Sequence, residues 1–412
     1  MIMKIIFSFL LSLFFCSAFA APQGKDFTIS TAAAFLDSDE RWEQEKFEGF
    51  MAQKGVRFDG GKTLKTSFLR KQQFFGVPAV EMRVYYTAEN KLEQIDLVYA
   101  NKGDNAGTRN MNRTISRNAK ALVDQFTAAW GKPVSKKYGI RGNAVKALAW
   151  KTKHSEVFLE YVRSEYVIVH FHIGDSRNAA SVDEKEKINL KGKDFSQNVV
   201  RNKFGDAYIA NIPMVNQGSK GYCAPATIER VLRYYGINKI TMHSIADQAD
   251  TRKGGGTMFQ GTLNALASVG KSVNLTRVSC GDFRMPLVKR YIDMGLPIFW
   301  SMDVNPQYEK IRNESRTLRP RAKSVKEWNK HLKTLKVPSR GNGHLCLVIG
   351  YNMETEEIAV SNSWGAHEIQ PTWVPLRIAR KVSHGKSLVL LPPGSKGNRS
   401  AEKRTQNSHS RR

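Results

Sequence analysis

Four residues, in the order Gln217, Cys223, His344 and Asn362, carry the side chains that nucleophilic thiol chemistry requires. Cys223 ends the segment Gln217-Gly218-Ser219-Lys220-Gly221-Tyr222-Cys223, and Ala224-Pro225 follows it. Ala224, Ile228, Val231, Leu232 and Tyr235 then recur at helical spacing, with Gly236 where a capping glycine belongs. Pro225 suits the first turn, where its missing N–H costs nothing. Cys223 is therefore expected at a helix N-terminus, whose dipole favours the thiolate and lowers the thiol pKa. Gly218 and Gly221 allow sharp turning and close approach of backbone to a bound molecule. The Gln217 side-chain amide can donate to a developing oxyanion together with the Cys223 N–H.

A thiol nucleophile needs a base at any sequence distance. His344 opens the apolar run Leu345 to Tyr351, which reads as a buried strand. After a turn at Met353 to Glu356, the strand Ile358 to Ser361 delivers Asn362-Ser363-Trp364-Gly365. Adjacent strands can bring His344 and Asn362 together. The Asn362 carbonyl then accepts from one ring nitrogen and leaves the other to face the thiol. Trp364 is placed to shield that bond from water. Each feature has a plain structural reading: cysteine is often a core residue, Gln-Gly is a common turn pair, and a histidine on an apolar strand is usually a satisfied core group. What favours chemistry is the joint occurrence.

The elements that must position these residues fall into two units. Residues 26–175 read as an α+β unit. Strands are expected at 77–87, 92–100, 147–151, 156–163 and 166–173. One main helix carries Ile115, Ala119, Leu122, Phe126 and Ala129 and stops at Gly131 and Pro133. The simplest packing is that helix against an antiparallel sheet. His170 and His172 alternate on one strand face. Without a third ligand at metal spacing they read as ordinary half-exposed sheet residues, and no metal or other cofactor is expected. Residues 176–205 read as a linker, 206–393 as the second unit, and 394–412 as a basic disordered tail.

From Gln217 to Cys223, from Gly343 to Tyr351 and from Asn362 to Gly365, the chain resembles the papain-like cysteine peptidases, and more closely their bacterial C39-like branch. The resemblance covers about 206–393. It implies a papain-like α+β domain preceded by a smaller α+β domain, with peptide-bond hydrolysis through a thioester. Cys223 would be nucleophile, His344 base, Asn362 its orienter and Gln217 the oxyanion donor, while Gly221, Tyr222 and Trp364 would border the substrate cleft. The chain departs from papain in having Ala224 after the nucleophile where papain has tryptophan. It departs from many C39-like domains, which use aspartate as orienter where Asn362 stands.

The net charge is +27 at pH 7, which favours an anionic surface or polymer, or an acidic peptide substrate. No nucleic-acid module is recognisable. Residues 1–20 read as a signal peptide: Lys4, the apolar run Ile5 to Phe15, then Ala18-Phe19-Ala20. The run is too short to span a bilayer, so an exported protein, periplasmic or secreted, with no transmembrane segment is expected. Losing Cys16 leaves Cys223, Cys280 and Cys346, with two buried free thiols favoured over a Cys280–Cys346 bond. The stretch from Asn305 to Arg340, rich in Lys and Arg, reads as a basic lid or as a solvated surface helix; Lys253 to Thr257, with Gly254 to Gly256, reads as a mobile rim of the cleft or as a plain loop. Two other functions fit the same residues. One is a thiol amidase or transamidase on cell-wall peptides; the other is a non-catalytic papain-fold protein binding an anionic partner. The first unit is compatible with an inhibitory prodomain, a docking module or a partner interface.

Overall fold

The computed structural model describes residues 27–70, 72–103, 110–140, 143–174, 190–252, 256–281 and 284–395. The signal segment read at 1–20, Gly254 and Gly255 of the rim loop, and the tail from 396 onward lie outside them. Among the described residues the strands form two large sheets, in an α+β architecture.

The first unit begins with helices α1 (Ile29–Leu36) and α2 (Gln44–Ala52). Strands β1 (Asp59–Gly60), β2 (Leu64–Phe68), β3 (Gln73–Phe74), β4 (Val77–Pro78), β5 (Glu81–Tyr86) and β6 (Leu92–Asn101) follow. Helix α3 (Met111–Trp130) ends at Gly131, whose φ of 83° suits glycine. Strands β7 (Val134–Tyr138), β8 (Val145–Lys151), β9 (Ser155–Val162) and β10 (Tyr166–Ile173) complete an antiparallel sheet of order β1-β2-β5-β6-β10-β9-β8-β7. The single helix expected here is joined by α1 and α2, which bring Phe35 and Phe47 to the same apolar core.

Strand alternation explains the sheet. Met82, Val84, Tyr86, Ile95, Leu97, Val167, Val169 and Phe171 pack toward the helices. The intervening Glu81, Arg83, Asp96 and His170 point the other way, yet they too are buried, because the second unit covers that face. His170 is thus fully buried rather than half-exposed, while His172 keeps part of its surface open as expected. His170 Nδ1 lies 2.7 Å from Asp96 Oδ1 and Nε2 lies 3.0 Å from Glu160 Oε2, with its ring stacked on Tyr138. No metal-binding cluster occurs among the described residues.

Burial disfavours the His170 charge, but the two carboxylates outweigh it and raise the imidazole to about 9. A folded pKa above the unfolded value of about 6.5 gives stability that is complete below that pH and lost as pH rises through about 9. The wild type is expected to lose roughly 3 kcal/mol between pH 6 and 10 from this group, and His170→Gln to flatten that part of the profile. Urea unfolding at a series of pH values measures it; an unchanged slope in the variant would remove His170 as the cause.

The second unit starts before residue 206. Leu190 and Phe195, within the stretch read as a linker, are buried in its core, and β11 (Val199–Arg201) pairs with β12 (Asp206–Ile209). Helices α4 (Cys223–Tyr234), α5 (Met242–Gln248) and α6 (Phe259–Ser272) lead to β13 (Thr276–Ser279), α7 (Met285–Asp293) and β14 (Ile298–Val304). Then come α8 (Pro306–Thr317), α9 (Val325–Thr334), β15 (Asn342–Asn352), β16 (Glu357–Ser361), β17 (Thr372–Pro375), α10 (Leu376–Val382) and β18 (Ser383–Leu391). The sheet order is β11-β12-β15-β14-β18-β13, with β16 and β17 added beside β15.

Ionic and apolar contacts join the units. Arg83 pairs with Glu229 of α4, which also accepts from Arg233 Nε at 2.7 Å and from the Met242 N–H at 2.6 Å. Arg233 reaches Tyr85, whose hydroxyl donates to Asp96. Lys220 lies 2.7 Å from Glu81. Leu64 and Tyr85 pack with Val215, Tyr222, Ala226 and Met242. A Cβ on Gly103 would sit 2.5 Å from the Tyr222 ring, so the backbone there must stay bare.

Candidate functional site

Helix α4 begins at Cys223, and its apolar face packs into the core beneath β15. Thr227, one turn on, donates to the Leu345 carbonyl at 3.1 Å, which fixes the helix start against the strand residue after His344. The half-buried thiol faces the Leu345 and Ala224 N–H groups. Burial nevertheless pushes its pKa up, those N–H groups opposing. The helix terminus was expected to lower it. Desolvation outweighs the stabilisation those N–H groups give the thiolate.

His344 lies near the start of β15, opposite Met302 of β14. The register places its neighbours: Ser361 pairs with Leu347, so the chain leaving β16 runs level with His344. His344 Nε2 is 3.0 Å from Asn362 Oδ1. With Nε2 engaged, Nδ1 is the nitrogen left for a thiol. Burial pushes the imidazole down to about 4, the Asn362 bond resisting. Trp364 packs on the ring at 4.7 Å between centroids. With the thiol raised and the imidazole lowered, both side chains are held neutral at pH 7.

Gln217 is oriented from both ends. Its N–H donates to the Ser363 carbonyl at 2.8 Å, and its Oε1 accepts from Ser363 Oγ at 2.7 Å. With the carbonyl end occupied, the amide NH2 is the end available to an oxyanion. Ser363 therefore does for Gln217 what Asn362 does for His344, and the two are adjacent in sequence.

Four supporting residues escaped the sequence reading. Glu368 Oε2 accepts from Asn362 Nδ2 at 3.3 Å, which turns the Asn362 oxygen toward His344. Arg312 and Arg316 hold Glu368 as ion pairs, and Arg312 stacks over Trp364. Arg312 belongs to the stretch read as a basic lid, but α8 buries Tyr308, Ile311, Arg312 and Ser315 and braces the orienter from behind. Arg230 is wholly buried and donates to the carbonyls of Pro213, Ser361 and Asn362 and to the Ser361 hydroxyl. It ties the segment before Gln217 to the strand before Asn362. It lies two turns after Cys223 on the same helix, and its type alone does not mark it as buried.

The remaining expectations divide. Gly221 stays in the nucleophile turn with φ of 63°, and its carbonyl accepts from Gly256 N–H. Tyr222 is removed from the cleft: it is 1% exposed and packs against the first unit, because the residue before the helix start turns away from Cys223. Cys280 and Cys346 are unpaired. A cavity of about 460 Å³ between the units is lined by Thr63, Tyr85, His172, Arg233 and Lys239, and by none of the four site residues.

Residues 209–409 match the model of the Peptidase_C39 like family. Over that span the carboxy-terminal unit resembles the C39-like peptidases. The match reaches about half of the chain and leaves the first sheet outside it. Among solved structures, the C39-like domain is similar to a protein of Bacillus anthracis described as C39-like, at 12% identity over 45% of this chain and 97% of that one, with a TM-score of 0.30. The peptidase domain of Streptococcus ComA, a bifunctional ABC transporter, aligns at 16% identity over 44% and 99%, with a TM-score of 0.29. Xylellain, a cysteine protease from Xylella fastidiosa, aligns at 13% over 48% and 88%, with a TM-score of 0.26. No curated protein matches.

Proposed function

We propose that this chain is an exported cysteine peptidase that hydrolyses peptide bonds through a thioester on Cys223. His344 Nδ1 takes the thiol proton as sulfur attacks the carbonyl carbon, and returns it to the leaving amine. The Gln217 amide and the Cys223 N–H stabilise the oxyanion. Water, deprotonated by the same imidazole, then releases the acid. Export is proposed from residues 1–20 alone.

The observation that supports this reading best is the paired orientation by Asn362 and Ser363, which aims an imidazole and an amide donor from consecutive residues of one turn. A cysteine kept only for packing has no need of either.

The test is alkylation of the mature protein by iodoacetamide near neutral pH, with the modified cysteine identified by mass spectrometry. Cys223 is expected to label faster than Cys280 and Cys346, and His344→Ala to slow it. Equal labelling in wild type and variant would favour a binding protein on the same scaffold.

A further inference from the structure

We infer that Phe68 and the β1–β2 hairpin of the first unit form a substrate subsite on the leaving-group side of the cleft, taking an apolar side chain of the peptide. The inference rests on the peptidase reading above.

The leaving amine takes its proton from His344, so the chain beyond the scissile bond must lie on the imidazole side. That side is bordered by Trp364, packed on His344, and by the turn Asn216-Gln217-Gly218. The two borders touch: a Cβ on Gly365 would come within 2.9 Å of Asn216 Nδ2 and 2.8 Å of Asp59 Oδ2. Asp59, in β1, also accepts the Ala366 N–H at 3.2 Å. Phe68, at the end of β2, covers the other border. A Cβ on Gly218 would meet its ring at 2.7 Å, so glycine there, with φ of 61°, lets the aromatic ring lie on the backbone next to Gln217. Leu64 of the same strand packs against Val215 and Tyr222, which anchors the hairpin along the whole segment that carries Gln217. One hairpin of the first unit therefore touches both loops that flank the imidazole.

The chemistry of the surface follows from what is covered. The Lys220 ammonium lies 4.6 Å from the Phe68 ring centroid but is buried and paired with Glu81, so it presents no open cation. The ring itself is 40% exposed, one of the few large apolar side chains left open in the described residues. An aromatic face beside bare glycine backbone recognises an apolar or aromatic side chain by contact.

The experiment is cleavage-site profiling on a proteome-derived peptide library, comparing the wild-type full chain with Phe68→Ala and Phe68→Leu. Wild type is expected to enrich apolar residues at the first two positions after the cleaved bond. Phe68→Ala should reduce that enrichment by about tenfold, the scale of one lost apolar contact, with Phe68→Leu intermediate. Preferences before the cleaved bond should not move. Identical profiles in wild type and Phe68→Ala, or a change only before the bond, would overturn the subsite. Loss of Cys223 alkylation in both variants would overturn it as well, making Phe68 a support of the site. If wild-type Cys223 alkylates in a His344-dependent way but no peptide is cut, the peptidase reading itself fails and the subsite falls with it.

Discussion

Alanine in place of His344 is expected to lower kcat/KM for peptide hydrolysis by about 10²–10⁴-fold, the range that a positioned base contributes. The size of the effect follows from the protonation states. Burial raises the Cys223 thiol and lowers the His344 imidazole to about 4, so on the proposed mechanism the site rests as thiol and neutral imidazole. In that state the thiolate is made only when the imidazole receives the proton, and nothing else within the described site is placed to receive it. The same argument fixes the pH profile. A depressed histidine stays neutral, and able to act as base, until pH falls to about 4. The acid limb of kcat/KM should therefore sit near pH 4, well below the ordinary histidine value of about 6.5. Gln217→Ala removes a donor to the oxyanion and should cost about 10²–10³-fold in kcat without moving that limb. Steady-state kinetics of both variants from pH 3.5 to 8 distinguish the roles. An acid limb near 6.5 in wild type would mean that His344 is solvated in the working enzyme and that the resting pair is different.

How much of this was legible depends on what a residue type can reveal alone. Cys223 before a helical repeat, and His344 before a strand repeat, announce their elements through apolar periodicity. Asn362 and Trp364 follow because an antiparallel neighbour of a histidine strand returns to its level. The fold class, and the elements that carry the candidate site, were therefore readable. The supports were not. Arg312 and Arg316 look the same in sequence as the solvated lysines around them, and only the placement of Glu368 beneath Asn362 makes them bracing residues. The burial of the first sheet's second face was hidden for a related reason. Alternation of Glu81, Arg83 and Tyr85 with Met82, Val84 and Tyr86 gives the strand and its two faces correctly. A charged face is ordinarily taken as solvated; here it is buried because a second domain covers it and supplies the opposite charges. Tyr222 was misplaced by the same gap, since the partner it packs against comes from a part of the chain that the family resemblance does not reach. The rise in the Cys223 pKa was hidden too, because a helix terminus can be read from spacing and desolvation cannot.

That covered face gives the largest expected effect on stability. Glu229→Ala should cost about 3–5 kcal/mol, the penalty for stranding buried charge. Glu229 meets Arg83 and Arg233 at once and takes the Met242 N–H at the start of α5. Burial alone would raise its carboxyl, yet the two guanidinium groups hold it below the ordinary value, so the charge is present in the folded state. Its removal leaves two guanidinium groups short of a counter-charge and one helix-start N–H without an acceptor. Arg83→Met removes a cation and the need for half of that carboxylate. The double variant should therefore lose less than the sum of the two single ones, by an interaction energy of about 1–3 kcal/mol. Urea unfolding of the four proteins closes the cycle, and strict additivity would refute the coupling. The consequence reaches the chemistry, because Glu229 and Cys223 share α4 and the first unit is the surface against which that helix is held. A first unit that came away would expose Arg83, Glu229 and Arg233 to water and leave Leu64, Tyr85, Tyr222 and Met242 without their apolar contacts. Permanent docking fits this interface better than release as a prodomain. Glu229→Ala should accordingly lower Cys223 alkylation along with stability, whereas a removable inhibitory domain would give faster alkylation as the interface weakens.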